Sequence, residues 1–288
     1  MLGFLFAILT AIAVSIKGVF SKKSVMKMDE YPVSWSLRFF AFLFLAPLLW
    51  FMKIPSLGDQ FWIALLIGGS LNTITTVLFI KAIKHSDLSI VSPISTFTPL
   101  FLLITSPIIV GEFPGIFGLM GVGFIVIGSY VLNIKEKRNG CLAPFKALLK
   151  EKGAQLMLIV AFLWSITSNI DKIGVQNSSP VFWVIAINAF IAIVLFPIIL
   201  RHPRKNLKQI SGGLKTLVPI GLLSAIALVF QMIAISLILV IYVTSIKRIS
   251  VAMSVLWGHL FFKEKNIKEK LAGVIIMIAG VFLITLLG

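Results

Sequence analysis

The sequence predicts an all-α polytopic membrane protein, with ten transmembrane helices arranged as two inverted five-helix repeats. Three observations carry that prediction. Hydrophobic residues make up 59% and charged residues 12% of the 288, about half the charge of a soluble domain. Apolar runs of roughly 20 residues, the length that crosses a hydrocarbon core, recur from end to end. The second half also repeats the first: Glu112, Leu119, Gly121, Val122 and Gly128 return 152 residues later as Glu264, Leu271, Gly273, Val274 and Gly280. At the same spacing Ala82, Ile83 and Val91 meet Ala234, Ile235 and Val243. Pro32-Val33-x-Trp35 is echoed by Pro180-Val181-x-Trp183, and Pro47 by Pro197. Duplicated hydrophobic halves mark transporters that rock one repeat against the other.

The runs are continuous rather than alternating in polarity, so each reads as a helix and not a barrel strand. The first (2–20) lacks a basic leader and an A-x-A-like cleavage site and reads as a retained span; it carries Thr10, Ser15 and Lys17. The second (33–52) holds Arg38, and the third (61–80) holds Asn72, Thr73, Thr75 and Thr76. The fourth (87–110) contains Ser92-Pro93-Ile94-Ser95-Thr96-Phe97-Thr98-Pro99 and then Pro107. Each proline removes a backbone donor and frees a carbonyl, which at membrane depth is tolerated only in protein-lined or wet surroundings. The fifth (114–134) offers Gly118, Gly121 and Gly128 for close helix packing, with Ser129 its clearest hydroxyl.

A linker at 135–153 separates a first repeat (1–134) from a second (154–288), and its Phe145–Lys150 stretch reads as a short amphipathic segment on the membrane surface. The sixth helix (154–173) is the most polar of the second half, with Ser165, Thr167, Ser168, Asn169, Asp171 and Lys172. The seventh (181–200) follows the second Pro-Val-x-Trp, and the eighth (216–236) carries Ser224 and Gln231. The ninth (239–262) reads Tyr242-Val243-Thr244-Ser245-Ile246-Lys247-Arg248-Ile249-Ser250, and the tenth (268–287) carries Gly273, Gly280 and Thr285.

A net charge of +16 could suggest a polyanion partner, but its placement argues for topology instead. Of 26 Lys and Arg, 20 fall in alternate connections (21–31, 81–86, 135–153, 201–215 and 263–270), and only Lys53 falls in the other set. The positive-inside rule puts the basic connections in the cytoplasm and both ends of the chain outside. An odd number of crossings separates the halves, which are therefore inverted. No nucleic-acid partner, cofactor or metal site is indicated, and the single Cys141 excludes an internal disulfide.

Five bases remain inside the runs (Lys17, Arg38, Lys172, Lys247 and Arg248) against one clearly intramembrane acid, Asp171. Lys247 and Arg248 lie about nine residues into their run, roughly 13 Å deep at 1.5 Å per residue. Two bases at that depth cost on the order of 5–7 kcal/mol by insertion scales and need compensation. Snorkelling or pairing with Asp171 would supply it, as would a bound anionic substrate. At the 152-residue spacing they correspond to Ser95 and Thr96, so the two polar segments are expected to face each other near a pseudo-twofold axis. The expected substrate-binding set is Lys247, Arg248, Ser95, Thr96, Lys172, Asp171, Asn72, Lys17 and Arg38. Glu112 and Glu264 each precede a helix, where a carboxylate complements the N-terminal dipole.

These duplicated halves, each with a Glu before a Gly-bearing helix, resemble the EamA family of the drug/metabolite transporter superfamily. The resemblance spans the chain and is strongest over Tyr242–Gly280, including Leu260-Phe-Phe-Lys-Glu264. It implies ten helices in two inverted repeats around a central cavity, with metabolite transport by alternating access. Lys247-Arg248 is also similar to the Lys-Arg pair that binds substrate phosphate in the plastid triose-phosphate translocators. The resemblance implies cytoplasmic chain ends, opposite to the charge asymmetry. Lys17 stands about where the family often has Trp-Gly, whereas Trp164-Ser165 stays closer to it.

The reading is a secondary transporter, not an enzyme, moving a small organic metabolite of anionic or amphoteric character across a prokaryotic plasma membrane. The alternatives are an exporter of neutral amino acids or drugs and a lipid flippase. A membrane enzyme would need a convergent carboxylate or His cluster, which Asp171 lacks.

Overall fold

A computed structural model describes residues 1–24, 28–85, 94–134, 151–253 and 267–287. Among these residues there is no strand. Ten α-helices follow in order: α1 (Leu2–Ser24), α2 (Glu30–Leu45), α3 (Phe61–His85), α4 (Phe97–Ile109), α5 (Ile116–Ile134), α6 (Lys152–Gln176), α7 (Pro180–Leu200), α8 (Pro203–Leu237), α9 (Val240–Lys247) and α10 (Ile267–Leu287). Five segments are long and apolar enough to cross a membrane: Glu30–Trp50, Phe61–His85, Lys152–Gln176, Pro180–Leu200 and Pro203–Leu237. Shorter apolar helices cover Leu2–Lys17, Phe97–Ile109, Ile116–Val131 and Ala272–Leu287. Residues 135–150, with Cys141 and the amphipathic stretch, lie outside the described residues, as do Ser92-Pro93, His259 and Glu264.

Boundaries depart from the sequence expectation where local chemistry intervenes. α2 tightens into a 3-10 turn over Ala46–Trp50. There Pro47 lacks the amide that would continue the α-helical ladder. α8 begins at Pro203 rather than near 216, because proline at the first helical position is pre-organised for helix. Its 35 residues span about 52 Å, so the basic stretch 203–215 extends beyond the apolar part.

The helix contacts show a symmetry. α1 packs on α8 and α6 on α3; α2 packs on α8 and α7 on α3; α4 packs on α6 and α9 on α1. Exchanging the halves converts each pair into the other. Three further pairs, α5 with α10, α2 with α7 and α4 with α9, exchange into themselves. The equivalent helices run antiparallel. On α2 and α7, Trp35 Nε1 donates to the Ala192 carbonyl (3.1 Å), while Arg38, further along α2, reaches back to Asn188 (3.4 Å). The repeats are therefore inverted, as the charge pattern predicted.

α5 and α10 meet through glycine. A Cβ on Gly121 would stand 2.7 Å from the Gly280 carbonyl, one on Gly280 2.6 Å from the Gly121 carbonyl, and one on Gly128 2.7 Å from the Gly273 carbonyl. These backbone-to-backbone approaches exist only because the side chains are missing. Gly118 serves another helix: a Cβ there would strike the Tyr242 hydroxyl on α9.

Connections sort to two faces. On one, Asp29 from the α1–α2 connection meets Lys205 at the start of α8 (2.7 Å) and Lys84 at the end of α3 (3.7 Å). On the other, the Gly58 amide donates to the Asn177 carbonyl (2.9 Å), and Glu112 of the α4–α5 turn meets the Val240 amide of the α8–α9 junction (3.0 Å). The start of α1 lies on this second face, since a Cβ on Gly3 would touch Ile238 at 2.8 Å. The end of α10 lies near the beginning of α5. Among the described residues, the basic connections represented by Asp29, Lys84 and Lys205 thus lie apart from the non-basic ones.

Candidate functional site

The site is built around two helices broken at equivalent positions. Helical backbone covers residues 94–95, turns at Thr96 and resumes as α4. On the other half α9 ends at Lys247, turns at Arg248 and resumes over 249–253. Thr96 and Arg248 stand 152 residues apart in the chain and share a conformation, φ −73° and ψ −9° against φ −66° and ψ −17°. In the first half Pro99 cannot donate to the Ser95 carbonyl, and the Thr98 hydroxyl does so instead (2.9 Å). In the second half the Arg248 amide bonds the nearer Ser245 carbonyl (2.9 Å), and the Val251 amide bonds the Arg248 carbonyl (2.9 Å). These are three-residue steps, tighter than the α-helix.

The two breaks face each other. Arg248 Nη1 donates to Ser95 Oγ (3.1 Å), bringing together the segments that the repeat spacing paired. The guanidinium also lies 5.9 Å from the centre of the Trp164 ring of α6, within cation–π range. Arg248 is 8% exposed, and its Nε makes no hydrogen bond; the buried Ser245 hydroxyl also lacks a partner. Buried donors without acceptors are uncommon and costly. Lys247 Nζ donates to Gln231 Oε1 of α8 (3.0 Å).

Arg38 occupies a second position. Its Nε and Nη2 donate to Thr76 Oγ1 of α3 (3.2 and 2.7 Å), and its Nη1 donates to Asn188 Oδ1 of α7 (3.4 Å). Lys17 on α1 lies near enough for its charge to act on both Arg38 and Lys247. Asp171 is buried; its Oδ1 accepts from Trp183 Nε1 (3.0 Å), and the charges of Arg38 and Lys247 act on it. Lys17, Arg38, Asp171, Lys247 and Arg248 form one electrostatic group. Arg38, Lys247 and Arg248 are held by neutral groups, and no ion pair joins a base of this group to a carboxylate among the described residues.

One residue of the expected set, Lys172, has a partner outside this group. Lys172 turns away from Asp171, pairs with Glu112 and donates to the Ile238 carbonyl (3.4 Å). Adjacent residues diverge by about 100° around a helix, which puts the two charges on different partners. Asn72 is half-buried on α3, and its backbone carbonyl accepts from the Thr76 hydroxyl (2.7 Å). Glu112 also differs from expectation: it caps α9 of the other half through the Val240 amide (3.0 Å), not the α5 that follows it. Much of the α6 polarity is internal to packing. Asn169 accepts from the Ser106 hydroxyl (2.8 Å) and donates to Thr105 Oγ1 (3.1 Å), tying α6 to α4.

Asn188, Trp164 and Trp183 were missed by sequence reasoning as site residues. Asn188 carried a signal, being the polar side chain in the otherwise apolar α7. Trp183 stood in the repeated Pro-Val-x-Trp and Trp164 in the Trp164-Ser165 pair, but neither pattern says which charged group the indole meets.

A family model described as the EamA-like transporter family matches residues 1–134 and again residues 151–286. A solved crystal structure of a protein is similar over 99% of this chain and 99% of its own, with a TM-score of 0.70 at 14% sequence identity. At that identity the likeness speaks for the fold alone. No curated protein matches the sequence. The duplicated match covers both halves, and its members are transporters: the chain belongs to the EamA-like transporter family of multi-pass membrane proteins.

Proposed function

We propose that the chain is a secondary transporter moving a small organic metabolite of anionic or amphoteric character across a prokaryotic plasma membrane. All ten helices cross the bilayer in this reading, and the two inverted repeats alternate access by rocking about their shared axis. The basic connections face the cytoplasm, so both chain ends lie outside. Lys247 and Arg248 hold the anionic group of the substrate, with Ser95 and Thr96 opposite and Lys17, Arg38 and Asp171 completing the site.

One observation carries the reading: Arg248 is buried at a helix break with neutral partners and an unpartnered Nε. A guanidinium grips a carboxylate or phosphate with two parallel hydrogen bonds, whereas an ammonium acts as a point charge. The bound anion would supply the acceptor that Nε lacks and offset the cost of a charge at that depth.

A thermal-shift screen of the purified protein against phosphorylated, carboxylated, zwitterionic and cationic metabolites identifies the class. Affinity of the best ligand is then measured in folded variants. Losing one charge-assisted contact costs about 1.5–3 kcal/mol, or roughly ten- to a hundredfold. Arg248→Gln and Lys247→Gln are expected to weaken anions by that amount and neutral analogues far less, with Arg248→Lys also impaired. Wild-type anion affinity in both Gln variants would assign the pair to structure.

A further inference from the structure

We infer that the site takes a substrate carrying two separated anionic groups. The inference rests on the anion reading above and adds the number of the groups and the arginine that takes each.

The two arginines are anchored at different places on different helices. Arg38 of α2 is held by Thr76 of α3 and Asn188 of α7. Arg248 is held by Ser95, just before α4, and lies beside Trp164 of α6. Both stay charged, because a guanidinium does not lose its proton in a protein. A lysine accompanies each, Lys17 interacting with Arg38 and Lys247 adjoining Arg248. Charge therefore runs through the site from one pole to the other, with Lys17 and Lys247 acting on each other between them.

Four basic side chains share this group with the one carboxyl of Asp171, so bases outnumber acids in it. Lys172, buried elsewhere on α6, has Glu112 as its partner, so among the described residues it does not add to this excess. A single carboxylate placed at Arg248 leaves the Arg38 pole with two bases facing one acid. A ligand with an anionic group at each end compensates both poles. Each arginine supplies a planar fork to one group, and the neutral anchors, Ser95 for Arg248 and Thr76 with Asn188 for Arg38, hold the two forks against different helices. Lone bases in the membrane are retained where they serve a substrate or ion path. Here the bases occur in two stations.

The test compares matched pairs that differ by one anionic group: butyrate with succinate, valerate with glutarate, and serine with phosphoserine. Binding is measured on the full-length purified protein by calorimetry or tryptophan fluorescence. At least one doubly anionic probe is expected to bind about tenfold or more tighter than its partner, the gain of one charge-assisted contact. In Arg38→Gln that ratio should fall towards one, and in Arg38→Lys, which restores the charge, it should largely return. Equal binding within every pair, or a ratio unchanged in folded Arg38→Gln, overturns the two-group inference and leaves the anion reading standing. Absence of binding by every anionic probe, with binding of neutral or cationic metabolites, overturns the anion reading and this inference with it.

Discussion

Asp29 shows how one side chain can be placed by the fold and not by its own helix. It occupies the residue before α2, where a carboxylate often caps the helix, yet it makes no such bond. Its oxygens instead accept from Lys205 Nζ (2.7 Å) and Gln209 Nε2 (3.0 Å), and its own amide donates back to Gln209 Oε1 (2.9 Å). The Lys205 and Gln209 hydrogen bonds hold its carboxyl below the 3.8 of an unperturbed Asp. A carboxyl depressed in the folded state stabilises the protein above its unfolded value, and that contribution disappears as pH falls through the lower folded value. The side chain is 36% exposed, so solvent screens the effect and the contribution is small. Thermal unfolding in detergent at about pH 6 and about pH 3 should therefore show a smaller acid-induced loss in Asp29→Asn than in the unaltered protein. The difference should shrink in high salt. Identical acid losses would mean that the Asp29 cluster contributes nothing to the joining of α2, α3 and α8.

Packing of elements was legible where it depended on what is missing. The glycines of α5 and α10 stood out in the sequence, and the structure uses Gly121, Gly128 and Gly280 to bring the two backbones together. A substitution there must separate the helices, because a carbonyl cannot swing aside as a flexible side chain can. Gly128→Ala, placing a Cβ 2.7 Å from the Gly273 carbonyl, is expected to lose about 1–3 kcal/mol of stability. Gly123→Ala, which meets nothing within 4 Å, should be neutral or slightly stabilising on helix propensity. Midpoints of thermal unfolding compare the two, and equal loss would remove the close-packing account. The approach of the two segments was legible too, since the repeat spacing pairs Lys247-Arg248 with Ser95-Thr96. The break at Arg248 was not, because no proline marks it as Pro99 marks the break at Thr96. The partners of Glu112 and Lys172 were equally hidden. Each is drawn by groups far along the chain, and only the folded contact of the α4–α5 turn with the α8–α9 junction reveals them.

At the scale of the whole molecule the halves interlock. α1 lies mainly on α8 of the other half and α6 on α3, so movement of one repeat against the other must slide these crossed pairs together. Lys172 and Glu112 sit where that sliding would be felt, tying the end of α6 to the α4–α5 turn and to the start of α9 on the non-basic face. The basic face is fastened instead by exposed pairs, Lys84 with Glu30 (3.0 Å) and Lys205 with Asp29 (2.7 Å). Under the proposed alternating access, the face that meets the cytoplasm would set the side to which each fastening opens. The charge asymmetry would place the basic face inside, and the structure brings Asp29, Glu30, Lys84 and Lys205 into one cluster, as that rule requires of connections sharing a side. The resemblance implies the reverse orientation for the chain ends, so the matter is decided by labelling. In a Cys141→Ala background, Ser211→Cys samples the basic face, and Ser56→Cys samples the loop beside Gly58 on the other; both positions are exposed. In intact cells a membrane-impermeant maleimide should label position 56 and spare position 211, with both labelled after permeabilisation. The opposite pattern would turn the molecule over, putting Arg204, Lys205 and Lys208 outside against the charge rule and the Glu112–Lys172 fastening on the cytoplasmic side.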